Sequence, residues 1–180
     1  MLALVRGPSP RKVCLLGCAC VRTAWGRLKD PRSRAAVEAA ERLADGLLSP
    51  EEVEGARRRG YEAARGGWAW PPYSAVETLL GDGLGGCRPA SRTQRCDFIR
   101  DLFGPLPFRE VGFDLAWLTP SVLSIARRAY DERDFTALPV LADALADAGC
   151  DVEDLLRHCR ERGLAHCRGC WAIDLLLGKG

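Results

Sequence analysis

Thr119-Pro120-Ser121-Val122-Leu123, Leu138-Pro139-Val140-Leu141-Ala142-Asp143-Ala144-Leu145-Ala146-Asp147-Ala148-Gly149-Cys150 and His166-Cys167-Arg168-Gly169-Cys170-Trp171 together decide the fold class of this chain. A threonine followed by proline is a helix start: the hydroxyl caps a free backbone N–H, and proline fits the first helical position. Val122, Ile125, Ala126 and Ala129 then recur at helical spacing. Leu138, Leu141 and Leu145 repeat the pattern from about Ala137 to Ala148, and Gly149 supplies the left-handed residue that ends a helix. Asp151 reads as the cap of a partner helix with Val152, Leu155, Leu156 and Cys159 on one face. A turn at Gly163 leads into a last helix bearing Cys170, Ile173 and Leu177, stopped by Gly178. Such short links favour antiparallel neighbours.

The upstream half carries the same signals. Cys14, Cys18, Val21, Trp25 and Leu28 form one helical stripe between Lys12 and Leu28. Asp30-Pro31 opens a second helix with Ala36, Ala40, Leu43 and Leu47 inward and Arg34, Glu38 and Arg42 outward. Ser49-Pro50-Glu51-Glu52 is a capping box for a third, with Val53, Ala56 and Ala64 inward. Trp68, Trp70, Pro71, Pro72 and Tyr73 make an aromatic corner before a short helix from about Ser74 to Leu80. Gly81, Gly83, Gly85 and Gly86 predict a flexible loop over 81–92; no strand precedes their Gly-x-Gly, so a dinucleotide loop is not indicated. Ser91 caps a helix through Cys96 whose apolar face is Ile99, Leu102 and Phe103. Phe108 to Trp117 alternates like a strand but has no second strand to pair with, and reads as an irregular segment packed on helices.

The expectation is an all-α, single compact multi-helix domain built from antiparallel helical hairpins, with one irregular Pro/Gly-rich middle segment. It divides into a leader (1–10), N-terminal helices (11–80), the glycine-rich loop (81–92) and C-terminal helices (93–178). At 180 residues such a fold buries enough surface to need neither disulfides nor metal for stability. An apolar fraction of 47%, a charged fraction of 28% and a net charge of +2 are those of an ordinary globular protein, with no overall bias toward nucleic acid or anionic membrane. No run approaches the roughly 20 apolar residues of a membrane span. Leu15-Leu16-Gly17-Cys18 imitates a lipoprotein cleavage box, yet only Val13 to Leu16 separate Arg11 and Lys12 from Gly17, too short for an export signal. Nine cysteines, odd in number and clustered, then favour reduced thiols in the cytoplasm.

Three stretches carry a resemblance. Cys96-Asp97-Phe98-Ile99-Arg100-Asp101-Leu102-Phe103-Gly104 with Ala116-Trp117-Leu118-Thr119-Pro120 is one, and Asp30-Pro31-Arg32-Ser33-Arg34-Ala35 another. The third is His158-Cys159-Arg160, then Arg168-Gly169-Cys170-Trp171 running into Asp174-Leu175-Leu176-Leu177-Gly178-Lys179. Together they resemble an uncharacterised group of all-helical bacterial proteins, similar in part to repeat-companion helical domains through Leu141 to Leu145 and Gly149. The resemblance implies a shared helical fold and supplies no activity and no site.

Chemistry has few openings. Cys159, His166, Cys167 and Cys170 are the candidate metal ligands: thiolate and imidazole suit zinc, and Cys167-x-x-Cys170 has a ligand spacing. His158 and Cys159 are adjacent and diverge by about 100° on a helix, so only one of the two can ligate. A disulfide from Cys159 to Cys167 or Cys170 is a second option, although Cys170 placed inside a helix gains no activation from its dipole. His166, Cys170 and Asp174 form the one nucleophile-base-acid trio, in a geometry suited to packing. Arg6, Arg11, Lys12, Arg22, Arg27, Lys29, Arg32 and Arg34, with Arg57-Arg58-Arg59 beyond, form the one basic stretch able to meet phosphates, although Glu38, Glu41, Glu51, Glu52 and Glu54 lie next in sequence and favour a solvated helix surface. The reading these features favour is a non-enzymatic cytoplasmic protein that binds another protein, holds no cofactor, and uses its sulfurs as packing between helices. The alternative is a zinc-stabilised helical domain, touching nucleic acid through the Arg-rich N-terminal half.

Overall fold

The structure, a computed structural model, describes residues 9–64, 90–105, 111–161 and 163–179. Every regular element among them is helical: α1 (Pro10–Arg22), α2 (Pro31–Ala44), α3 (Pro50–Ala64), α4 (Arg92–Phe103), α5 (Pro120–Glu132), α6 (Leu138–Asp147), α7 (Glu153–Arg160) and α8 (Trp171–Leu177), with three short 3₁₀ turns between. The fold is all-α. None of these helices is long and apolar enough to cross a membrane. The chain divides into two compact units, Met1–Arg95 and Cys96–Gly180, the division falling in the first turn of α4. The aromatic corner at 68–73, the helix at 74–80 and most of the loop at 81–92 lie outside the described residues.

In the first unit α2 packs against α1 and α3. Cys18, Val21 and Leu28 from the first stripe meet Val37 and Ala40 of α2, with Cys14 and Trp25 at the edge. The helix itself stops at Arg22; of the stripe's last members, Trp25 opens a 3₁₀ turn at Trp25–Arg27 and Leu28 is that turn's C-cap. Asp30 caps α2 through the Arg32 N–H, and Ser49 and Glu52 exchange the two bonds of a capping box. Two expectations change. Leu47 lies past the end of α2 and is exposed, because Gly46 takes a positive φ of 68° and turns the chain out. Glu41, expected among the acids of a solvated helix surface, is only 2% exposed and accepts from Arg22 Nη2 at 2.7 Å. The Arg22 guanidinium also covers the Trp25 ring, 4.3 Å from its centroid.

In the second unit α6 packs on α5 and α7, and α8 packs on α5 and α7. Their shared core contains Val122, Ala126, Ala129 and Tyr130 of α5, Leu138, Leu141 and Leu145 of α6, Leu155 and Cys159 of α7, and Ile173 and Leu176 of α8. Thr119 caps α5 through Val122 N–H. Gly149, at φ 87°, ends α6, and Cys150 N–H closes the turn on Leu145 C=O at 2.9 Å. α7 begins one residue later than expected: Val152 holds the cap position and no side chain caps it, so Asp151 is not the N-cap. On α4 the buried residues are Phe98, Asp101 and Leu102, while Ile99 and Phe103 are half-buried. The inward face is thus rotated from the expected one and carries an acid. Residues 111–114 have no regular structure, as expected of an irregular segment, and Trp117 is buried.

The last helix differs most. Residues 161–170 are not helical in the described positions, and Cys170 is the N-cap residue of α8. Gly163 and Gly169 both adopt positive φ, 89° and 91°, which breaks the helix that the four-residue spacing of His166 and Cys170 suggests.

A candidate metal centre on α4, α7 and the turn before α8

Asp101 sits in the last turn of α4, ahead of Gly104, whose φ of 103° ends the helix. His158 lies in α7, His166 in the loop that follows, and Cys170 at the start of α8. One donor atom from each of these four residues falls within 4.8 Å of all the others. His166 Nδ1 is 2.7 Å from Asp101 Oδ1. His158 Nε2 is 3.2 Å from the same oxygen and 3.1 Å from Cys170 Sγ. The two imidazoles meet edge to face with centroids 5.0 Å apart, and Trp171 and Phe135 border them. Asp101 and Cys170 are fully buried.

The other carboxylate oxygen is held separately. Cys167 donates its backbone N–H to Asp101 Oδ2 at 2.8 Å, and its thiol donates to that oxygen at 3.3 Å. This grip leaves Oδ1 facing the imidazoles as a single-oxygen donor, the role that an outer hydrogen bond gives a ligating carboxylate. Burial opposes ionisation of Asp101, yet hydrogen bonds to His158 and His166 and their attraction outweigh it and hold the carboxyl well below the usual range. Burial pushes the Cys170 thiol well up, and the Asp101 charge pushes it further.

This geometry is not that of a nucleophile with its base. In such a set the thiol and the orienting carboxylate engage opposite ring nitrogens. Here both approach His158 Nε2, and the sulfur has no exposure to substrate. Asp174, the acid of the sequence-proposed trio, is not among the converging donors.

Of the four candidate ligands read from sequence, the structure brings His166 and Cys170 into the cluster. Cys167 stands beside it, on the far oxygen of Asp101. Cys159 is not among the converging donors: it packs into the apolar core beside Leu155, where burial pushes its thiol up to about 12. Its neighbour His158 enters the cluster instead, in keeping with the divergence of adjacent helical residues. The packing role expected for the sulfurs fits Cys18 and Cys159, whereas Cys170, a member of the same core as Cys159, also contacts an imidazole. Asp101 was missed altogether, although a carboxylate between Phe98 and Leu102 on an apolar helical stripe is a usable signal.

Fold and site together define a helical protein with a buried carboxylate–imidazole–thiol cluster. Comparison with known protein families, curated proteins and solved structures finds no match to this chain.

Proposed function

We propose that the unit Cys96–Gly180 is a metal-stabilised helical domain that binds one zinc-type divalent ion through Asp101 Oδ1, His158 Nε2, His166 Nδ1 and Cys170 Sγ. The carrying observation is that a carboxylate oxygen and a sulfur converge on one imidazole nitrogen, with a second imidazole closing the group. A nitrogen with one lone pair or one proton serves a single partner well; several donors aimed at a common point suit a cation. Mixed nitrogen, sulfur and oxygen donors are those of zinc. Zinc–ligand bonds of about 2.0–2.3 Å in a tetrahedron separate ligand atoms by about 3.3–3.6 Å. The three contacts of 2.7–3.2 Å widen to that by roughly half an ångström, and the remaining pairs lie within 4.8 Å. All four positions are filled by protein and the site is buried, which favours a structural ion over a catalytic one.

Chelator-free purification under reducing conditions followed by elemental analysis tests this. One zinc per chain, lost in His158→Ala and Cys170→Ser, is the expected result. A chain free of metal that also fails to take up zinc from micromolar solution refutes it. The eight cysteines among the described residues are free thiols, consistent with a reducing compartment such as the cytoplasm.

A second reading, binding to another protein, draws support from Phe113 and Leu115, which leave apolar side chains exposed two residues apart, Leu115 by 75%. Leu115→Asp is expected to weaken any concentration-dependent association seen in sedimentation without lowering stability; unchanged association removes this surface from consideration. Nucleic-acid binding through the N-terminal arginines has less support. Arg11 pairs with Asp45, Arg22 with Glu41 and Arg32 with Asp30, and Arg34 donates to the carbonyls of Leu28 and Trp25.

A further inference from the structure

We propose that Cys167 is a second sulfur ligand of this site, taken up in place of Asp101 when the bound ion is soft and thiophilic, such as Cd²⁺. The inference rests on the metal reading above and extends it from one coordination mode to two. Its basis is the turn joining Cys167 to Cys170. Cys170 N–H donates to Cys167 C=O at 3.0 Å, and Gly169 supplies the positive φ of 91°. Such an i to i+3 turn holds the two Cα atoms within about 7 Å. Both side chains are buried, so the second sulfur, like the first, lies in a dry environment.

Cys167 Sγ lies 3.3 Å from Asp101 Oδ2, and Asp101 Oδ1 is the oxygen shared by both imidazoles. Sulfur and liganding oxygen are therefore separated by one hydrogen bond and one carboxylate. A borderline ion accepts oxygen, nitrogen and sulfur together, whereas a soft ion gains more from a second thiolate than from a carboxylate. On exchange the Cys167 proton leaves along the existing S–H···O contact to Asp101. One anionic donor replaces another and the buried charge is unchanged. Asp101 keeps the Cys167 backbone N–H as its partner.

The whole chain, stripped of metal and titrated with Cd²⁺, reads this out through sulfur-to-cadmium charge-transfer absorption. The wild type is expected to plateau at about twice the intensity of Cys167→Ser, two thiolates against one. Asp101→Asn is expected to lose more affinity for Zn²⁺ than for Cd²⁺. Equal plateaus in wild type and Cys167→Ser overturn the proposal. Cadmium-113 resonance on the wild type needs no variant: a shift typical of two sulfurs supports the exchange and one typical of a single sulfur overturns it. A single-sulfur cadmium signal with normal zinc uptake removes only this inference. A wild type that takes up neither ion removes the metal reading as well.

Discussion

Replacing Asp101 by asparagine keeps the shape of the side chain and removes the carboxylate charge that His158 and His166 face through Oδ1 and Cys167 holds through Oδ2. In a network held only by hydrogen bonds, the change weakens bonds to a buried charged acceptor and costs about 1–3 kcal/mol, with or without a chelator. In a metal-binding network the loss depends on the ion. An ion present at about 100 times its dissociation constant adds about 2.7 kcal/mol to the folded state. For a helical unit the size of Cys96–Gly180, each kcal/mol moves the melting temperature by about 4–8 °C, so zinc is expected to raise it by roughly 10–20 °C. Circular dichroism melts of wild type and Asp101→Asn, each in zinc and in chelator, separate the cases. The metal reading requires a wide gap between the two proteins in zinc that narrows in chelator. A gap of the same size in both conditions, with a wild type indifferent to zinc, refutes it.

Leu141→Ala and Leu145→Ala each truncate a fully buried side chain of α6 and are expected to cost about 2–5 kcal/mol in urea unfolding; wild-type midpoints would remove α6 from the core. Arg22→Ala strands the buried carboxylate of Glu41 and is expected to cost about 3–5 kcal/mol, more than Glu41→Ala, because Arg22 is partly exposed and keeps the Trp25 ring; equal losses in a thermal melt would contradict this. Cys20 and Cys159 are expected to resist alkylation in the native chain at pH 8, since burial raises their thiols to about 11 and about 12. Mass spectrometry showing either labelled as fast as in denaturant would mean that these helices open.

What could be read from sequence follows the range over which each signal acts. The Ser49–Glu52 exchange and the Asp30 and Thr119 caps involve groups within three residues, so the local sequence contains all of their physics. The gathering of Asp101 with His166 spans 65 positions, and no periodicity along one helix reports it. The interval 161–170 misled for a related reason: His166 and Cys170 are spaced like a helical pair, and only the positive φ at Gly163 and Gly169 excludes the helix. A long-range trace was nevertheless present. Phe98, Asp101 and Leu102 share one stripe of α4, and Val37, Ala40 and Glu41 share one stripe of α2. An acid inside an apolar stripe enters the interior with its helix, and a buried charge persists only with a partner. Each stripe by itself therefore implies a buried partner elsewhere in the chain, and that partner is Arg22 for Glu41 and the two imidazoles for Asp101. The difference in partner decides the chemistry. A guanidinium donates but has no lone pair to offer a cation, so Glu41 ends in an ion pair, whereas imidazoles and a thiol leave Asp101 among groups that become ligands once their protons depart.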